Sequence, residues 1–466
     1  MIAAEIVADG LRRGGVIRVF AGAGADQTIA DAIVAARLSI VLVARAASAT
    51  TMASVTGLLG DAPGVALIHD DAPGVSASLA EAASAHAPMI VLASGEAVAS
   101  TSVIKTTAVV GADSASHWAA HAAQAAMSEP PGPVWLVVAP GVAPRPALPL
   151  ATAARPHAPA LDANKVDAVA QHLAAAARPL IVAGRECRAP ATAGWLRALA
   201  EALPAPVLVT PAARGALPDP HPLCFGGLSA KAAILGRADL ILALGVDGKE
   251  LARADVTFTT PVLRLGRATP WDAWHGVPAV EVDADVAMVL EELASRLRDR
   301  SRADWDVAEL DRLRRARPAP AVDASLVAVV TQLREATPAG AIAIFARALE
   351  PATALWQTVN PGELLVTDSV VPAAIGAALQ RSDGVVLALT RGPSDLLPED
   401  LSAAVEASAH VIVVALDAGA RDIGAAHAAG VRTAVAASPA ALALALGVGL
   451  EAVGPSVIAV PTAGRV

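Results

Sequence analysis

A chain of 466 residues is too long for one hydrophobic core and points to two to four domains. Hydrophobic residues make up 55%, mostly through alanine, yet no unbroken run of about 18 strongly apolar residues occurs, which argues against a membrane span. A net charge of -9, scattered arginines, 2% aromatics and no tyrosine argue against a nucleic-acid surface.

The opening MIAAEIVADGLRRGG sets Glu5, Asp9 and two arginines in amphipathic spacing, so it reads as a first helix rather than a signal peptide. Downstream, short Val/Ile/Leu runs alternate with alanine-rich helical stretches, the pattern of parallel sheets covered by helices. In the first third the runs are VIRVF (16–20), SIVLVA (39–44), VALIH (65–69), MIVLAS (89–94) and VWLVVA (134–139). A proline-rich stretch without periodicity, 140–162, then reads as an extended linker. The second third continues with PLIVAG (179–184), PVLVT (206–210), LILALG (240–245), PVLRLG (261–266) and AVEVD (279–283). A charged helical run and more proline follow at 300–322. AIAIF (341–345), LLVT (364–367), VVLAL (385–389), VIVVAL (411–416) and SVIAV (456–460) complete the last third. The expected fold class is α/β, with three doubly wound parallel-sheet domains over 1–145, 160–300 and 322–466. Such sheets bind ligands at the carboxyl ends of their strands. Only Cys187 and Cys224 are present, which fits a reducing cytoplasm and excludes a disulfide framework.

Longer segments carry a resemblance. In the middle third these are ARPLIVAGRECR (177–188), LAEALPAPVLVTPAARGALPDPHPLCFGGL (199–228) and GRADLILALGVDGKEL (236–251). VFAGAGADQTIADAI (19–33), DDAPGVSASLAEA (70–82) and EPPGPVWLVVA (129–139) precede them, and PAAIGAALQRSD (372–383) and HAAGVRTAVAASPAALALAL (427–446) follow. In this order the chain resembles the thiamine diphosphate-dependent enzymes of the acetolactate synthase and benzoylformate decarboxylase group. The resemblance implies a pyrimidine-binding-like domain, a central Rossmann-like domain and a diphosphate-binding-like domain. It also implies thiamine diphosphate with Mg²⁺ as the family cofactors.

Functional positions of that family are altered. A glutamate that pairs with the aminopyrimidine ring and promotes its active tautomer falls on Ala46, and alanine accepts no proton. Where the family places Gly-Asp-Gly after the strand matching VVLAL, the chain reads Arg391-Gly392-Pro393. Where it places Asn-Asn after VIVVAL, the chain reads Asp417-Ala418. Those family residues hold Mg²⁺, which wants about six oxygen ligands. Arginine pairs well with phosphate, so Arg391 is the residue to replace the metal if the cofactor is kept. Asp395 and Asp417 are candidates for a displaced metal, with solvated turns as the alternative. After Gly419 the chain reaches AAHAAGV directly, without the family segment that closes over cofactor and substrate.

Other positions have two readings. Gly22 and Gly24 in AGAGAD cradle an anion or simply turn the chain. Gly74, in DDAPGVS, lies at the active-site rim in relatives; His69 and Asp70 before it are an acid–base pair or a polar strand end. In the central domain, whose relatives bind FAD, an ADP-containing group or nothing, Arg185, Arg214 and Lys249 are the phosphate candidates beside the turn glycines Gly184, Gly215 and Gly245. His117 and His121 share a helix face around Trp118 without a third metal ligand, and His221 sits in what the family uses as a structural loop. Cys187 lies between Arg185 and Arg188, yet reads as an inert loop cysteine. No Gly-x-Ser-x-Gly elbow suggests a hydrolase.

The expectation is therefore a divergent acetolactate synthase-like chain without bound thiamine diphosphate or Mg²⁺, acting as a supporting subunit or binding another small ligand. The alternatives are a carbon–carbon lyase or carboligase acting on a 2-oxo acid or acyl compound, and a nucleotide- or acyl-CoA-binding module. The resemblance implies a homodimer or homotetramer, or pairing with a catalytically intact homologous chain. The small-residue helices SATTMASVTGLL (48–59) and VPAAIGAALQ (371–380) are expected to face that second chain.

Overall fold

Parallel strands covered by helices on both faces have no solvated side, which is why runs such as LILAL and VIVVAL become central strands with every residue buried. The computed structural model describes residues 1–69, 72–95, 102–148, 160–267, 271, 277–297, 303–316, 321–392 and 395–461. They form three six-stranded sheets, and every pairing whose register is described between strands is parallel.

The first sheet holds β1 (Arg18–Gly22), β2 (Ser39–Val43), β3 (Gly64–His69), β4 (Met89–Ser94), β5 (Thr106–Val110) and β6 (Pro133–Val138). Its strand order is β2-β1-β3-β4-β6-β5. Around it lie α1 (Ala3–Arg13), α2 (Gln27–Ala35), α3 (Ala46–Leu59), α4 (Val75–Ser84) and α5 (Ala115–Met127).

The second sheet holds β7 (Pro179–Ala183), β8 (Val207–Val209), β9 (Cys224–Gly227), β10 (Leu240–Leu244), β11 (Val262–Leu265) and β12 (Val280–Val282), in the order β12-β11-β10-β7-β8-β9. Its helices are α6 (Ala163–Ala175), α7 (Pro190–Ala202), α8 (Gly248–Ala254) and α9 (Val286–Arg296), and α10 (Val307–Arg315) follows.

The third sheet holds β13 (Ile342–Ala346), β14 (Leu364–Thr367), β15 (Val386–Arg391), β16 (Val411–Leu416), β17 (Arg432–Val435) and β18 (Ser456–Val460), in the order β14-β13-β15-β16-β18-β17. Its helices are α11 (Ala324–Ala336), α12 (Val370–Gln380), α13 (Pro398–Glu406), α14 (Ala420–Ala428) and α15 (Pro439–Leu450).

Three strands were not expected from sequence: β5, β9 and β17. Each lies at a sheet edge. TTAVV, CFGG and RTAV hold no more than three apolar residues in a row, too few to stand out as strands.

The chain forms two compact units. Met1–Arg155, Val322–Leu355 and Leu365–Val466 make one; Pro156–Ala321 with Trp356–Leu364 make the other. Within the first unit, α3 and α12 correct an expectation. Helix α3 buries twelve of its fourteen residues and α12 nine of eleven. Their small side chains let backbones approach, but the helices pack on each other within one chain. A Cβ at Gly376 of α12 would lie 2.7 Å from the Met52 carbonyl oxygen of α3, a separation that only glycine allows. Arg18 adds a hydrogen bond to the Leu379 carbonyl at 2.6 Å. The surface assigned above to a second chain is thus covered internally. Among the described residues no helix is long and apolar enough to cross a membrane.

Candidate functional site at the carboxyl edges of the sheets

At the carboxyl edge of the third sheet the strand ends carry charge. Arg391 closes β15, in register with Leu416 of β16, so Asp417 follows one step beyond it. The Arg391 Nε lies 3.6 Å from Asp417, and its Nη2 lies 3.7 Å from Asp323, the N-cap of α11. Both distances exceed a hydrogen bond, so the guanidinium is held electrostatically and loosely. Gly392 donates its N–H to the Leu416 carbonyl at 2.9 Å. Asp417 has φ 61°, a left-handed conformation that aspartate tolerates better than most residues. Beside it, Thr390 donates its hydroxyl to Asp395, whose carboxyl is pushed up by burial. Asp395 is half-buried, whereas Asp417 is the exposed turn residue considered from sequence, with Arg391 beside it. Pro393 lies outside the described residues.

A second charged group, which the sequence reading missed, ties this edge to α4. Arg347, following β13, donates Nε to both carboxylate oxygens of Asp368 at 3.0 and 2.9 Å, and Nη2 to Glu81 at 2.8 Å. Glu81 also accepts the Thr367 hydroxyl at 3.0 Å and the Asp368 N–H at 3.1 Å. Burial still raises its pKa above the ordinary carboxylate value. No short-range signal marks Glu81 or Arg347. Asp323 was legible in principle, as an aspartate directly before a helical apolar run.

On the first sheet, Gly22, Ala46 and Gly74 come close together. A Cβ on Gly22 would lie 2.9 Å from the Ala46 Cα, and one on Gly74 would lie 3.3 Å from the Ala47 Cβ. Gly24 sits in the β1–α2 turn, 4.0 Å by the same measure from the His69 Cβ. Ala46 begins α3 and is 7% exposed. Arg45 reaches Asp400 of α13 at 3.6 Å, and burial raises the Asp400 pKa although Ser48 and Arg45 oppose it. Asp70 lies outside the described residues.

In the second unit the three phosphate candidates have different surroundings. Arg185 is buried in a 3-10 turn, Arg185–Arg188, and its N–H donates to Glu250 at 3.2 Å. Arg214 donates to Asp219 and to the Trp356 carbonyl, both at 2.8 Å. Asp219 in turn accepts the Thr358 N–H at 2.8 Å and its hydroxyl at 2.9 Å. Arg214 thereby anchors the segment Trp356–Leu364 rather than lying open to a ligand. Lys249 is exposed on the first turn of α8.

Strand order reverses between β7 and β10, the usual place for a dinucleotide. Here the 3-10 turn covers that crevice. Gly245 has φ 57°, and a Cβ on it would lie 2.3 Å from the Glu186 Cβ. The Glu186 carboxylate accepts the Arg267 N–H at 3.1 Å, as a phosphate oxygen would.

Cys187 belongs to the core, not to a loop. Its Sγ donates to the Leu244 carbonyl at 3.4 Å, and burial, aided by Glu186 and Glu250, pushes the thiol far above its ordinary pKa. His117 and His121 stack at 4.4 Å on α5, and His221 pairs with Glu201 at 3.2 Å. Among the described residues no three His, Cys, Asp or Glu side chains gather as a metal-holding group.

Three doubly wound domains with such edges define a class of α/β enzyme fold, and comparisons identify it. Residues 1–127 match the family model for the thiamine pyrophosphate enzyme, N-terminal TPP binding domain, and residues 166–293 match that for the thiamine pyrophosphate enzyme, central domain. The chain is 29% identical over 290 residues to the acetolactate synthase isozyme 1 large subunit of Escherichia coli (strain K12). That match covers 56% of this chain and 50% of the relative, so the chain spans about half the length of the curated relative it matches. Two solved structures share the fold. A candidate thiamin diphosphate-dependent enzyme from Mycobacterium smegmatis superposes with TM-score 0.79 at 24% identity, covering 100% of both chains. Benzoylformate decarboxylase from Polynucleobacter necessarius gives 0.80 at 20% identity, covering 99% of this chain and 98% of the other. The chain belongs to the thiamine diphosphate-dependent enzyme family.

Members of this family normally bind thiamine diphosphate with Mg²⁺. The positions that the resemblance assigns to that pair carry other residues in this chain. Ala46 offers a methyl group where the resemblance places the carboxylate that meets the pyrimidine. At the position that the resemblance assigns to the metal stands Arg391, and the Asp417 carboxylate faces its guanidinium. Asp395 accepts the Thr390 hydroxyl, and burial raises its pKa above the ordinary carboxylate value.

Proposed function

We infer that this chain keeps the architecture of the thiamine diphosphate enzymes but does not hold thiamine diphosphate with Mg²⁺. It serves as a supporting subunit, or binds another small ligand at the same sheet edges. The observation that carries this reading is the Arg391–Asp417 pair at the ends of β15 and β16, where the resemblance implies the family's metal ligands. Ala46 supports it from the other half of the site. Calorimetry with thiamine diphosphate and Mg²⁺ is the test: no heat of binding is expected. A dissociation constant near micromolar, about 8 kcal/mol of binding energy, overturns the reading.

The identity to an Escherichia coli acetolactate synthase subunit favours a second reading, a carbon–carbon lyase or carboligase acting on a 2-oxo acid or acyl compound. Arg391 then pairs with the diphosphate directly. Cofactor-dependent turnover that is independent of Mg²⁺ and lost in Arg391→Met supports this reading over the first. FAD, ADP-containing or acyl-CoA binding in the second unit has less support, because Glu186 fills the crevice and Arg214 is engaged. For assembly the reading extends to a homodimer or tetramer, or a pair with an intact homologous chain. Light scattering of the chain alone and mixed with such a homologue distinguishes these.

A further inference from the structure

The third sheet carries a cavity of about 200 Å³ with Arg391 in its lining. It opens at the carboxyl ends of β15, β16 and β18, beneath the first turns of α11 and α15. Val329, Leu416, Leu442 and Val460 give it an aliphatic lining, with Ser325 and Ser438 hydroxyls and Arg391 at the rim. Both helix starts are already capped: Asp323 accepts the Leu326 N–H and Ser438 Oγ the Ala441 N–H. Each cap takes one backbone donor, and Arg391 is the cation among the described residues that line the space.

We propose that this cavity binds a short aliphatic monocarboxylate, with its carboxylate on Arg391 and its hydrocarbon tail against Val329, Leu416 and Leu442. The inference rests on the functional reading in one respect, that Arg391 is not engaged by a diphosphate. Three observations select the class. The guanidinium is held only at 3.6 and 3.7 Å, so a bidentate carboxylate at hydrogen-bond distance competes well for it. Asp323 and Asp417 flank Arg391 and leave the group net negative, which disfavours a phosphate dianion or diphosphate more than a monoanion. A volume of about 200 Å³ leaves room for a small organic acid such as a five-carbon one.

Ligand-observed NMR and thermal melting of the intact chain with 3-methylbutanoate test this. Millimolar or tighter binding is expected, weakened at least tenfold by Arg391→Met and at least tenfold when 3-methylbutanamide replaces the acid. Val329→Trp, which fills the cavity from α11, should abolish binding while the protein still melts cooperatively. The proposal is overturned if the acid does not bind at tens of millimolar, if the amide binds equally well, or if Val329→Trp binds like the parent. It is also overturned if inorganic diphosphate binds more tightly than the acid. Tight Mg²⁺-dependent thiamine diphosphate binding alongside retained acid binding would remove the functional reading alone. Failure of the acid with thiamine diphosphate still excluded would remove only this proposal.

Discussion

Arg391 and Asp417 end neighbouring parallel strands, and their charged groups lie 3.6 Å apart across the β15–β16 edge. The Arg391 side chain is 39% exposed, so solvent screens the pair. Removing such a cation changes stability by no more than about 1 kcal/mol. Arg391→Met should therefore shift the melting temperature by no more than about 2–4 °C. A larger drop in calorimetry would make Arg391 a structural tie rather than a ligand-facing group.

The α3–α12 contact allows a sharper test of packing. A leucine at position 376 must enter space held by the Met52 backbone. Gly376→Leu should destabilise by about 3 kcal/mol or more, the upper range for overpacking. Urea denaturation measures it. An unchanged midpoint would mean that α12 does not pack on α3 within the chain.

Asp219 holds the segment Trp356–Leu364 onto the second unit through Arg214 and Thr358. Asp219→Ala leaves a largely buried guanidinium without its carboxylate, at about 3 kcal/mol, the low end for a broken buried pair. Thr358→Val loses one hydroxyl bond and should cost about 1 kcal/mol. Limited proteolysis near residues 356–364 should speed up in the first variant and much less in the second.

Acid groups at the sheet edges set the pH response. Burial raises the pKa of Glu81, Asp395 and Asp400 in the folded state. The folded chain then keeps protons that the unfolded chain releases, so this contribution is full below about pH 4, the unfolded carboxylate value, and is lost as pH rises through the folded values. Asp400→Asn removes one such group. Its melting temperature relative to the parent should rise as pH goes from about 4 to 7; a relative value that stays constant or falls counts against the buried-acid account.

Much of the architecture lies in short-range pattern. AIAIF, LILAL and VIVVAL are apolar enough to be central strands wherever they occur, because only burial on both faces tolerates them. The edge strands β5, β9 and β17 lacked that signature, with no more than three apolar residues in a row. Ala46 and Arg391 were legible as altered positions because each sits next to a recognisable strand.

Partnership was not legible. The small residues of α3 announced close packing, yet nothing local says whether the partner is α12 of the same chain or a helix of another. Glu81 and Arg347 stand 266 residues apart in sequence, and Arg391 meets Asp323 across the fold. Sequence alone determined which segments must be buried, because hydrophobic periodicity acts over a few residues. Which charge faces which, and where a cavity opens between α11 and α15, only the tertiary structure decided, because such contacts depend on how whole sheets and helices stack.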